Sequence, residues 1–381
     1  MKNIVILICK MCGLCGAIVI FLLNSCNLYV QAADSSSGNI FDFSDAQSLM
    51  DEYTDSEFNI SDSITDMQNG ESTGWLKKIY SMLKDNITKE IAYNKDALVK
   101  VMFIALGTAV LTNFSSAFGS EGASEVGTAM SYIILTGYLF AGFGMIYNVA
   151  LETVGVIENF MNAMVPAYFL SMGISGSATS AAAFYEIALF VVTIVCKLVG
   201  KFMIPAVMIY VVILIVNNIY SINYLSKLAD LIRMVVLWGL KTMMGVVLGI
   251  NVIQGIILPS VDAVKGKTVT KIVKLIPTIG NSAGTVADLI IGSGMVIKNA
   301  VGTTMVIGLI LICSIPILKI VIYVLMYKVA GALIQPITDG RINDSVDAVT
   351  EGGKLLLQTT LYSMSLFAAG IAIICIATNY K

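Results

Sequence analysis

An all-α polytopic bundle of about 6–8 transmembrane helices, preceded by a signal peptide and an exported amphipathic segment, is the fold this sequence predicts. Three observations predict it. Of 381 residues, 57% are hydrophobic and 13% charged, against 45–50% and about 25% in soluble domains, and the mean hydropathy is +0.85. Apolar stretches near the roughly 20 residues that cross a bilayer recur from residue 101 almost to the end. None alternates polar with apolar as barrel strands do, so the backbone amides in hydrocarbon must be satisfied within helices.

Residues 1–33 read as a signal peptide. Lys2 and Lys10 flank its start, Met11 to Leu23 form an apolar run, and Val30-Gln31-Ala32 places small residues before Ala33, which sets cleavage near Ala32 or Ala33. Lipidation at Cys26, which follows Leu23-Asn24-Ser25 as in a lipobox, and an uncleaved anchor helix are the other two readings. Cys9, Cys12 and Cys15 share the spacing of an iron–sulfur run, but all three lie in the segment expected to be removed. Cys196, Cys313 and Cys375 stand singly in apolar stretches and read as small core residues.

Residues 34–74 hold ten acids and no Lys or Arg, a composition expected of a disordered acidic linker or of a segment that folds only on a partner. Over 75–100 a helical wheel collects Trp75, Leu76, Ile79, Met82, Leu83, Ile87 and Ile91 on one arc and four lysines with Asp85 on the other. That is an interfacial amphipathic helix, or equally one packed on a partner helix. The polytopic domain is 101–381, with apolar stretches near 101–118, 128–150, 154–173, 184–200, 202–219, 231–257, 299–326 and 356–378. Re-entrant segments are expected near 154–183, where Glu158, Asn159 and Pro166 interrupt the pattern, and near 270–298, within residues 259–298 where lysines surround Pro277 in what reads as a basic interfacial loop plus a short helix. If all eight stretches cross, that basic region falls outside, against the positive-inside tendency.

The composition also bounds the chemistry. There is no histidine, which removes the commonest general acid/base and metal ligand. A net charge of −2 leaves no footprint for nucleic acid. Glu351-Gly352-Gly353-Lys354 lacks the glycine-rich loop of a nucleotide site, and acids in the apolar half occur singly apart from Asp339, Asp344, Asp347 and Glu351, which read as a solvated loop face. No catalytic, cofactor-binding or metal residue is therefore expected. Ionisable residues inside apolar stretches are functional candidates because they are costly there, and these are Glu158, Glu186, Lys241 and Lys319, the last able to snorkel if its helix breaks at Pro316. Gly245-Val-Val-Leu-Gly249 is a GxxxG, which marks Gly245 and Gly249 as candidate helix-packing positions.

Ile276-Pro277-Thr278-Ile279-Gly280, the run Gly292 to Gly302 with its Ile297-Lys298-Asn299-Ala300-Val301-Gly302 core, Cys313-Ser314-Ile315-Pro316-Ile317-Leu318-Lys319, and Gln335-Pro336-Ile337 together resemble the stage III sporulation protein AE family of endospore-forming Firmicutes. Phe160-Met161-Asn162-Ala163-Met164-Val165-Pro166 also fits. The resemblance implies a non-enzymatic component of a mother-cell-to-forespore channel, a secretion-like feeding tube, set in the mother-cell membrane surrounding the forespore and needed for late forespore gene expression. The partners it implies are the other stage III A operon membrane proteins and their ATPase, indirectly the forespore stage II Q protein, and the lipid bilayer. A stand-alone secondary transporter, with Glu158, Glu186 and Lys241 around a substrate at broken helices, is the alternative.

Overall fold

The structure is a computed structural model, and it describes residues 42–53, 59–68, scattered positions between 88 and 110, 121–175, 178–219, 225–274, 280–336 and 340–378. The leader with Ala32 and Ala33, nearly all of the amphipathic 75–100 segment and most of the 101–118 stretch lie outside these residues. Two short helices come first, α1 (Ser44–Tyr53) and α2 (Ile60–Gln68). The bundle follows: α3 (Glu121–Ile174), α4 (Ala178–Leu198), a π turn (Val199–Met203), α5 (Ile204–Ile219), α6 (Ser226–Lys274), α7 (Gly280–Ile334) and α8 (Gly340–Ala377).

Five of the resulting rods are long and apolar enough to cross a membrane: Tyr132–Ile174, Ala181–Asn218, Ser226–Ile257, Gly292–Ile334 and Gly340–Ala377. Fewer rods than apolar stretches result because two pairs of stretches fuse. The interruption at Glu158 and Pro166 does not fold back; α3 runs through both, since a proline in a membrane helix is tolerated where neighbours cover the freed carbonyl. Likewise α7 passes through Pro316, so Lys319 gains no helix end there, and residues 280–298 belong to the same rod rather than to an interfacial loop. The acids 344, 347 and 351 are helical too, lying in the first turns of α8 rather than in a loop.

The π turn has a cause in the sequence. From the second half of α4 into the π turn the buried positions are Val192, Val195, Cys196 and Val199, and along α5 they include Ile204, Val207, Tyr210, Val211 and Ile215. Every step is three or four residues at most except Val199 to Ile204. A uniform α-helix would rotate the second set off the core; a single wider turn absorbs the surplus residue and keeps both sets on one face.

Contacts fix the direction of each rod. Arg233 meets Glu351, Asn251 meets Gly370, and Ala377 lies against Gly255, so α6 and α8 run parallel. Helix α3 joins them, with its Tyr132 hydroxyl 3.0 Å from both Ile215 O and Ser345 Oγ at one end and Tyr168 beside Gly302 at the other. Helix α7 is antiparallel, pairing Gly331 with Val346, Val324 with Gly353 and Gly302 with Cys375. Helix α8 is the core of the bundle and α6 its most exposed rod. The core helix carries many hydroxyls, but Thr350, Thr359, Thr360 and Ser363 each donate to a carbonyl one turn back, so they need no partner from another helix. Cys196, Cys313 and Cys375 are buried and unbridged, as their apolar settings predict.

The stretch expected to be a linker contains α1 and α2. Asp42 accepts hydrogen bonds from the Ser44 hydroxyl and then its backbone N–H, which hold the carboxyl below its ordinary pKa and close the start of α1. Asn59 accepts from the N–H groups of Ser61 and Asp62 as the N-cap of α2. Phe43, Ala46, Met50, Ile60 and Ile64 are buried. These apolar residues fall at helical spacing within the acidic composition, and they seat both helices on the bundle while Asp45, Asp51, Glu52 and Asp62 stay outside.

Candidate functional site

The described residues bring together one buried polar cluster, where the beginning of the apolar part of α7 meets the end of α8. Lys298 is fully buried, and its ammonium donates to Thr378 Oγ1 at 2.9 Å. Thr378 in turn donates to Ile374 O at 2.8 Å, which orients its lone pair toward the lysine. The Cys375 thiol donates to Asn299 Oδ1 at 3.4 Å. Tyr168 of α3 closes the group from the side. Its hydroxyl and the Asn299 Nδ2 are buried without a hydrogen bond. Gly302 makes room for that ring, since a Cβ there would lie 2.9 Å from Tyr168 Cε2 and 3.5 Å from Cys375 Sγ.

Lys298, Asn299 and Gly302, three members of the Ile297-to-Gly302 core, thus meet on one side of α7 over about one turn. What they do chemically is fasten three helices. The cluster has no carboxylate or imidazole base beside the thiol, and no group of three or more metal-ligating side chains occurs among the described residues. Beside it, a cavity of ≈ 40 Å³ is lined by side chains from five rods, among them Met161 and Tyr168, Val192, Val247, Met305 and Phe367. Its walls are apolar apart from Tyr168 and Asn251, and these lining residues also mark one common height in the bundle.

The ionisable residues singled out from the sequence do not converge. Glu158 is half-buried near Cys196, Lys319 is half-buried on α7, and Glu186 and Lys241 are both exposed. Gly239 lies against Met203, which sets Lys241 roughly 25 Å along the α4–α5 rod from Glu186. These two therefore form no interhelical pair within the chain. Glu186→Gln and Lys241→Met are expected to act additively on the thermal midpoint of the purified protein, within the roughly 0.3–0.5 kcal/mol found for independent sites. A double mutant no worse than either single would place them in contact.

Among the described residues Gly245 and Gly249 pack against no other helix, because a Cβ at either position meets nothing within 4 Å. Close approach occurs instead at Gly294, against the backbone of Ile174 and Ser175, and at Gly352, against Val211 and Phe143. A second polar group sits toward the opposite end, where Glu351 pairs with Lys354 and with Arg233 (3.7 Å), and Asp347 pairs with Lys328 (2.8 Å). These pairs are partly exposed and worth little singly.

A family model described as Stage III sporulation protein AE matches residues 58–378. The chain is 24% identical over 306 residues to the Stage III sporulation protein AE of Bacillus subtilis (strain 168), spanning 80% of this chain and 76% of that protein. No solved structure matches.

Proposed function

This chain belongs to the stage III sporulation protein AE family, and we propose on that footing that it is a non-enzymatic component of a channel between mother cell and forespore, set in the mother-cell membrane around the forespore. The family match across residues 58–378 carries this reading. Five long apolar helices support it, as does a buried polar cluster whose atoms bind helices to one another. In this reading the other stage III A operon membrane proteins are its neighbours, their ATPase supplies energy, and the forespore stage II Q protein stands across the gap.

Deleting the gene in the native host is expected to arrest spores after engulfment with late forespore gene expression lost, scored by spore counts and a forespore reporter. Normal spores would sink the proposal. The stand-alone transporter is tested separately: the purified chain in liposomes is expected to move no solute unaided, and sustained uptake would favour that alternative.

A further inference from the structure

We infer that the face of the bundle formed by α3 and α7 borders a water-filled space at mid-membrane height rather than lipid, and that α1 and α2 line it. The seat of α1 is the first observation. Met50 is buried against Gly308 and Phe160, with its sulfur 3.8 Å from where a Gly308 Cβ would stand and the Phe160 ring 2.8 Å from the same point. Phe160 adjoins Met161, and Gly308 is one turn from Met305, so α1 lies at the height of the central cavity. Helix α2 starts beside it, because Gln47 accepts a hydrogen bond from the Ile60 N–H at 2.8 Å.

That height is far from either end of the rods. Gly308 falls inside the apolar rod Gly292–Ile334, and Phe160 inside Tyr132–Ile174. Yet the outer sides of α1 and α2 carry Asp45, Asp51, Glu52 and Asp62, all exposed, with no lysine or arginine on either helix. Glu152 of α3, also exposed, stands beside Tyr53, whose phenol is pushed above its ordinary pKa by burial and by the carboxylates of Glu52 and Glu152. Carboxylates facing hydrocarbon at the centre of a span cost several kcal/mol each and in membrane proteins face protein or water instead. At the same height on the far side of the bundle, Val246 is exposed and apolar, with Val252 and Ile253 beyond it. The charges exposed near this height on the α4–α5 rod and α6 are Lys197, Lys201 and Lys241, whose long stems can carry the ammonium away from hydrocarbon, whereas the carboxylates on the α1 side have no such reach. One side therefore suits lipid and the other suits water, the asymmetry expected of a subunit in the wall of an aqueous passage. This inference deepens the channel reading and rests on it only for what the water-filled space is.

The test compares two nitroxides at one height. Glu52→Cys and Val246→Cys are each spin-labelled in full-length chain reconstituted in phosphatidylethanolamine and phosphatidylglycerol vesicles, with Cys9, Cys12, Cys15 and Cys26 replaced by serine. A water-soluble nickel chelate is expected to relax the label at 52 several-fold more than that at 246, and dissolved oxygen to do the reverse. Nickel reaching both labels equally would put this height outside the bilayer, and oxygen dominating at both would put α1 in lipid; either overturns the inference. Asp45→Cys repeats the measurement should Glu52→Cys fail to fold. Met50→Asp is expected to loosen the label at 52, and an unchanged spectrum would show that α1 is not seated and overturn it too. A water-exposed label at 52 in a chain that sporulating cells can lose without effect would sink the channel role and leave this inference standing.

Discussion

Replacing Gly352 with alanine is expected to destabilise the protein by about 1–3 kcal/mol or more, the range of overpacking in a filled core. The added methyl would overlap Val211 Cγ2 and lie 2.9 Å from Phe143 Cε2. Val211 and Phe143 are themselves fully buried, and the neighbouring Gly353 is held against Val324 on the opposite side, so α8 has no free direction in which to retreat. Gly294→Ala is expected to behave likewise, because there the obstacle is backbone, with Ser175 Cα at 2.8 Å and Ile174 O at 2.9 Å. The control is built into the chain: Gly245→Ala and Gly249→Ala meet open space and should leave the thermal midpoint in detergent within error or raise it slightly. If the GxxxG pair proves as sensitive as Gly352, those two glycines pack against another molecule and the expected order of sensitivities is wrong.

The second large effect is expected at Lys298. Lys298→Ala removes a fully buried side chain and leaves a cavity where three helices meet, which should cost about 2–5 kcal/mol by comparison with other large-to-small core changes. Lys298→Met keeps most of the volume and removes the charge. A buried ion replaced by an apolar side chain of similar size is often neutral or stabilising, so the methionine variant should unfold near the wild-type midpoint. Comparing the two separates the stem's packing from the ammonium's hydrogen bond to Thr378. Equal losses in both would make the charge essential to the fold, and no loss in the alanine variant would mean the cluster does not hold the helices.

Lys298 escapes a reading of the sequence because of its neighbours. Lys265, Lys267, Lys271 and Lys274 precede it and give the region the look of a basic loop. The local signal is nevertheless present: between Gly280 and Lys298 the only charged residue is Asp288, and no other charge follows until Lys319. A lysine embedded in so long an apolar run has the same claim on function as Glu158 or Lys241. The membrane helices themselves are legible because hydropathy needs only composition over a window. The continuity of α3 and α7 through Pro166 and Pro316 is not, since whether a proline breaks a helix depends on neighbours that cover the freed carbonyls. Helices α1 and α2 are hidden by their acids, although Phe43, Ala46 and Met50, then Ile60 and Ile64, carry the spacing of an amphipathic face. The GxxxG pair shows the reverse, a motif real in the sequence that meets no neighbour among the described residues.

The wide turn at Val199–Met203 also limits how this rod can change over generations. Its surplus residue sets the phase between two buried stripes, so exchanging one side chain for another there leaves both stripes in place. Loss of a single codon would not: everything downstream would swing by about 100°, turning Val207, Val211 and Ile215 away from the core together. In this stretch length is inherited more strictly than identity.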